Sequence, residues 1–126
     1  MTSYLDTHAA IWLFEGKNRK FTRKALNQVE RSELRISPIV LLEVQYLREV
    51  GQTKCLPEQL AFKLNAELGV EICNMALPVV VEFAINEGWT REPFDRLIVA
   101  HAHANGVAPL ISADRHIAAN YPNTIW

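Results

Sequence analysis

Short apolar segments alternate with helical stretches along the whole 126-residue chain, and proline and glycine mark the joints. Tyr4 and Leu5 close a first strand. Residues 7–14 read as a helix that Gly16 ends. Thr22 suits the N-cap of a helix to about residue 31, and 34–37 read as a second strand. Pro38 opens a helix running to about residue 50, and Pro57 opens another that Gly69 closes. Residues 70–73 are strand-like, 78–87 helical, and Pro93 opens a long helix ending at Gly106. A strand at 109–112, a short helix at 114–120 and an edge strand at 124–126 complete the series. This alternation predicts a three-layer α/β fold, with a short, mainly parallel central sheet flanked by helices. Right-handed crossovers then bring the strand-to-helix junctions to one sheet edge, where open α/β sheets bind their ligands.

No repeat, low-complexity tract or Gly/Ser linker interrupts the pattern, so one domain over residues 1–126 is expected. Hydrophobic residues at 49% and charged residues at 21% argue against disorder. A net charge of -1 excludes a broadly basic nucleic-acid coat but not a local basic patch. Cys55 and Cys73 are too few for a disulfide scaffold and suit buried thiols in a reducing cytosol. No apolar run reaches the ~18–20 residues of a membrane span. The N-terminal residues lack the basic and apolar regions of a signal peptide. A soluble cytoplasmic protein with no membrane contact is the expectation.

Four acids stand out. Asp6 follows the first strand and Asp114 the 109–112 strand, and either alone is explained as a helix N-cap. Asp95 lies two residues after Pro93, in a first helical turn where the helix dipole favours negative charge. Glu43 is harder to explain. At 3.6 residues per turn, Ile39, Tyr46, Leu47 and Val50 form an apolar stripe with Glu43 at its centre. A carboxylate there must be paired, neutralised or bound to a cation. The three aspartates fall at predicted element junctions sharing a sheet edge, and the glutamate projects toward the core side. Converging acids repel one another and raise their pKa values, a penalty that a hard divalent cation removes. Mg²⁺ or Mn²⁺ in an oxygen-only site can promote phosphodiester cleavage.

Three motifs then resemble those of PIN-domain ribonucleases, specifically VapC-type toxins of toxin–antitoxin modules. They are Leu5-Asp6-Thr7-His8-Ala9 with Trp12-Leu13, Ile36-Ser37-Pro38-Ile39 through Leu42-Glu43-Val44, and Glu92-Pro93-Phe94-Asp95-Arg96-Leu97-Ile98-Val99-Ala100 followed by Leu110-Ile111-Ser112-Ala113-Asp114. Their order and spacing span almost the whole chain. The resemblance implies a PIN fold and a Mg²⁺- or Mn²⁺-dependent endoribonuclease that a partner antitoxin inhibits. It implies metal-holding, catalytic roles for Asp6, Glu43, Asp95 and Asp114, with Ser112, Thr7 and Glu92 supporting them. Two positions depart from the family pattern. Glu92 stands where an aspartate is usual, and glutamate is the poorer N-cap; Val40 stands where a small polar residue is common.

The remaining features admit bland and functional readings. Lys17, Arg19, Lys20 and Arg23 lie in the basic stretch 17–24, either a solvated loop or an RNA or antitoxin contact. Arg96 and Arg115 adjoin proposed ligands and suit either a phosphate or a carboxylate. His8 is read as structural, although it neighbours Asp6. His101 and His103 face different ways, and the four histidines make no zinc motif. Trp12, Trp89 and Trp126 are read as packing. Leu60 and Leu64 offer an apolar face for a homodimer or an antitoxin. From another functional class, a phosphorelay receiver is disfavoured, because one acid, not two, follows the first strand. A degenerate, non-catalytic PIN-like RNA-binding or regulatory domain is the remaining alternative.

Overall fold

The computed structural model describes all residues, 1–126. Along the chain run β1 (Thr2–Leu5), α1 (Thr7–Phe14), α2 (Arg23–Arg31), β2 (Glu33–Ile36), α3 (Pro38–Glu49) and α4 (Pro57–Leu68). There follow β3 (Glu71–Ile72), α5 (Leu77–Ile85), α6 (Pro93–Ala104), β4 (Leu110–Ile111), α7 (Arg115–Asn120) and β5 (Thr124–Ile125). The architecture is the expected three-layer α/β fold, and each predicted element is present. Local chemistry explains the helix starts. Thr22 accepts the Ala25 amide, Ser37 accepts that of Ile39, and a proline stands in the first turn of α3, α4, α5 and α6. Gly69 ends α4 in the left-handed region at φ 68°, where a side chain would be strained.

The strands lie in the order β3-β2-β1-β4-β5, and all four pairings are parallel. Tyr4 pairs with Arg35 on one side and with Leu110 on the other. The chain therefore builds outward from β1 through β2 to β3, then returns to the opposite side of β1 for β4 and β5. The reversal leaves a crevice beyond the carboxyl ends of β1 and β4, where doubly wound sheets take their ligands. Asp6 follows β1 at that point, and Ser112, Ala113 and Asp114 follow β4.

Tyr4, Leu5, Ile36, Leu110 and Ile111 of the sheet are buried against Val40, Val44, Leu60, Leu64 and Ile98 of the helices. Burying each such aliphatic side chain contributes about 1.5–3 kcal/mol. This corrects the expectation for Leu60 and Leu64: both are fully buried and offer no docking face. The exposed apolar side chains are others, among them Phe62 on α4 and Leu77, Val81 and Ile85 on α5. Cys55 and Cys73 are buried and unpaired. No helix is long and apolar enough to cross a membrane.

Candidate active site

Asp6, Glu43, Glu92, Asp95 and Asp114 line one open cleft of about 510 Å³ at the reversal point, together with Thr7, His8, Trp12, Tyr46, Phe94 and Ala113. They arrive on separate elements. Asp6 caps α1, its Oδ1 accepting the Ala9 amide at 2.9 Å. Asp114 caps α7, with Oδ1 accepting the His116 and Ile117 amides at 2.8 and 3.0 Å. Each cap thus occupies one oxygen and leaves Oδ2 free of these bonds. Asp95 stands in the first turn of α6. It does not follow a strand, contrary to the junction expected: α6 is reached from α5 through the 86–92 loop.

Glu43 projects from α3 and is partly buried. The apolar stripe expected around it is displaced. Val40, Val44 and Leu47 form the buried face of α3, whereas Tyr46 and Val50 are each 49% exposed. Glu43 sits at the border between the two, opening into the cleft. Thr7, itself buried, donates its hydroxyl to Glu43 Oε1 at 2.5 Å. Support for Glu43 therefore comes from α1, and Val40, at the position where the family pattern has a small polar residue, is simply core.

No lysine or arginine lines this cleft, and none of its carboxylates forms an ion pair. The electrostatic consequences follow. Burial raises the Asp6 carboxyl above the ordinary aspartate range, while the Ser112 hydroxyl and the Ala9 amide pull it partly back. Burial also raises Glu43, against the lowering effect of Thr7, with Glu92 and Asp6 adding like charge. Asp95 is pushed up to about 7, first by burial and then by Glu92, Glu43, Asp114 and Asp6. A cluster of hard oxygen donors that repel one another, with no lysine or arginine among them, fits Mg²⁺ or Mn²⁺ in its chemistry. As the side chains stand, no three of them are already gathered on a single point as a ready metal site.

The supporting candidates separate. Ser112 is buried, accepts the Asp114 amide at 3.1 Å and is turned to Asp6. Glu92 is an effective N-cap despite its length: Oε1 accepts the Phe94 amide at 3.2 Å and Oε2 that of Asp95 at 2.6 Å. The extra methylene lets the carboxylate straddle the two amides, so both oxygens are engaged in starting α6.

The basic candidates also divide. Arg96 is a correction to the phosphate reading. Its guanidinium donates to the carbonyls of Ala84, Thr90 and Ile85 at 2.8, 3.2 and 3.1 Å, clasping the end of α5 and the following loop. Lys17 pairs with Glu15 at 3.2 Å and lines a second groove that shares His8 and Trp12 with the acidic cleft. Lys20 lies over the Trp12 ring at 5.5 Å. Arg19, Arg23 and Arg115 are exposed.

His8 is exposed on the cleft rim, 5.9 Å from the Trp12 ring, and lowers the pKa of Asp6 and Glu43. His101 is buried, kept neutral by burial, with Nδ1 2.9 Å from the Ser37 hydroxyl. His103 meets the buried Glu87, whose other oxygen accepts the Trp89 indole N–H at 2.7 Å. Trp12 and Trp126 pack on the core with Phe21. Tyr46 and Phe94 were not picked out as site residues; an aromatic in a helix carries no sequence signal separating a core position from a cleft wall.

A family model described as the PIN domain matches residues 3–121. The fold is similar to that of a chain in the crystal structure of VapBC2 from Rickettsia felis bound to a DNA fragment from their promoter. There the identity is 24% and the TM-score 0.63, over 98% of this chain and 96% of that one. It is also similar to a chain of a toxin–antitoxin complex from Klebsiella pneumoniae, at 21% identity and a TM-score of 0.64, over 98% and 96% of the two chains. None of the curated proteins compared with the chain matches it. With the family model covering nearly its full length, the chain belongs to the PIN domain family.

Proposed function

We propose that this protein is a VapC-type toxin, a metal-dependent endoribonuclease that cleaves RNA phosphodiester bonds and is restrained by a cognate antitoxin. The observation carrying this reading is the set of five unpaired carboxylates lining one cleft at the sheet's reversal point, without a lysine or arginine among them. Asp6, Glu43, Asp95 and Asp114 would hold Mg²⁺ or Mn²⁺. The ion supplies charge neutralisation at the phosphodiester and lowers the pKa of water. The chain's own residues prepare the site. The helix amides fix Asp6 and Asp114 by one oxygen each. Thr7 orients Glu43, and Ser112 holds a proton-donating hydroxyl toward Asp6. Glu92 fixes the start of α6 and so the place of Asp95. Lys17, Arg19, Lys20, Arg23 and Arg115 are the candidate RNA contacts. We take residues 1–126 as one PIN-like domain acting in the cytoplasm as a homodimer, without membrane contact.

The test is cleavage of a bulk cellular RNA pool by antitoxin-free protein with Mg²⁺ or Mn²⁺, with EDTA, and with Asp6→Asn. Discrete cleavage that EDTA and the variant abolish supports the proposal, and the cut sites name the target. A rate loss of at least ~10²-fold is expected for the variant. Wild-type-like cleavage by Asp6→Asn refutes the assignment of that residue. The alternative is a non-catalytic PIN-like RNA-binding or regulatory domain. Absence of both cleavage and Mn²⁺ binding by folded protein would select it.

A further inference from the structure

Two aromatic side chains at the cleft take no part in the core. Tyr46 on α3 is 49% exposed, Phe94 on α6 is partly buried, and their ring centroids stand 5.6 Å apart at 41°. Neither joins the buried clusters or packs on them. Both line the acidic cleft, and both are tied to its carboxylates by sequence position. Tyr46 is one helical turn beyond Glu43, on the same face, and Phe94 directly precedes Asp95. Folding alone gives little reason to hold a large ring in water beside repelling carboxylates.

We propose that Tyr46 and Phe94 form a base-stacking subsite, which receives the nucleobase adjoining the phosphate that the carboxylate floor acts on. The proposal rests on reading the cleft as a phosphodiester site. A separation of 5.6 Å is too short for a base to enter between the rings, since two aromatic contacts need about 7 Å. The base therefore lies on the outer face of the pair. Every base has a π-face, so the subsite fixes where a strand sits and not which base is read. It accepts only unpaired nucleotides, because a base in a duplex keeps its faces covered. A protein partner is better matched by the aliphatic side chains Leu77, Val81 and Ile85, which are exposed on α5 and absent from the cleft.

The test uses unstructured RNA oligonucleotides of A or U, each also made with one abasic nucleotide at successive positions. Affinity is read by anisotropy of a labelled strand with Ca²⁺, a hard cation that also takes oxygen ligands. Cleavage is read in parallel with Mn²⁺. One position is expected at which base removal weakens binding by roughly five-fold or more. Tyr46→Ala should raise KM by a similar factor with little change in kcat and should erase the penalty of the abasic position. Tyr46→Trp should restore both. Equal affinity for intact and abasic strands at every position overturns the proposal. So does a Tyr46→Ala protein with unchanged KM that instead loses a protein partner. The abasic series needs no variant, so it does not depend on a variant's folding. Base-dependent binding without cleavage of these strands keeps the subsite, and the nuclease reading then falls only if bulk RNA also stays intact and Mn²⁺ does not bind. Cleavage without base dependence keeps the nuclease reading and overturns the subsite.

Discussion

Asp95→Asn should make the metal-free protein more stable while weakening its hold on metal. The argument starts from the cleft, where burial and four neighbouring acids push Asp95 from 3.8 up to about 7. At about 1.4 kcal/mol per tenfold, that displacement is worth at most about 4 kcal/mol near neutral pH. Asp95 is only partly buried, and solvent screening reduces the figure to roughly 1–3 kcal/mol. One term opposes the gain. A negative charge in the first turn of α6 interacts favourably with the helix dipole, worth about 0.3–1 kcal/mol, and Asn forfeits it. Repulsion and desolvation win, leaving a net stabilisation of about 1–2 kcal/mol, or roughly 3–10 °C in Tm for a domain of this size.

The pH dependence fixes the sign independently. The folded pKa lies above the unfolded one, so the penalty is absent below the unfolded value near 3.8 and fully present above about 7. Thermal melts in EDTA should show Asp95→Asn above wild type at pH 8, with the gap closing as the pH falls toward 4. Adding Mn²⁺ at pH 8 should raise the wild-type Tm more than that of the variant, reversing or shrinking the gap. A variant less stable than wild type in EDTA at pH 8, or a gap unchanged down to pH 4, would refute the electrostatic reasoning.

Other consequences can be checked on the same preparations. Thr7→Val removes the hydroxyl that Glu43 accepts; Mn²⁺ affinity by calorimetry should fall about 10- to 100-fold, with Tm changed little because Glu43 can turn to water. Arg96→Lys keeps the charge but cannot span the carbonyls of Ala84, Ile85 and Thr90. Urea unfolding should show a loss of about 1–3 kcal/mol, whereas the salt dependence of RNA binding should stay as in wild type; the opposite pattern would restore Arg96 as a phosphate contact. Glu87→Leu leaves the His103 and Trp89 donors without their buried acceptor, so stability should drop by about 2–4 kcal/mol in denaturant titrations.

The sequence was most informative where a single residue type has a single physical use. Proline in the first turn and glycine in the left-handed region placed the ends of α3, α4 and α6 to within about two residues. The crossover rule put the strand-to-helix junctions on one sheet edge, but the order β3-β2-β1-β4-β5 came from the structure alone. The sequence was least informative where helical periodicity had to assign a face. Ile39, Tyr46, Leu47 and Val50 read as one apolar stripe with Glu43, yet α3 buries Val40 and Val44 along with Leu47. Of that stripe Tyr46 lines the cleft, Ile39 packs on the core and Val50 is exposed, and a periodic pattern cannot separate these environments. Long cationic side chains were equally opaque. Arg96 and Arg115 each follow a cleft aspartate, but only the local fold reveals that Arg96 turns back to the α5 carbonyls.

Asp6 and Asp114 show why helix capping and a place in the site are not competing explanations. A cap occupies Oδ1 and fixes the carboxylate relative to the backbone; the same bond leaves Oδ2 to the cleft. A charged group at a helix start is thereby oriented without help from a salt bridge, which would neutralise the charge that the cleft concentrates. The sheet reversal brings two such helix starts, α1 and α7, to neighbouring strand ends. Substitution chemistry separates the two uses. Asn keeps the capping oxygen and removes the charge, so Asp6→Asn and Asp114→Asn should fold as well as wild type or better. Ala removes both, and a lost cap costs about 1 kcal/mol. If Asn and Ala variants at either position lose the same stability, the capping bond is not what fixes the carboxylate. If Asn variants retain metal affinity, the free oxygen is not what the cleft uses.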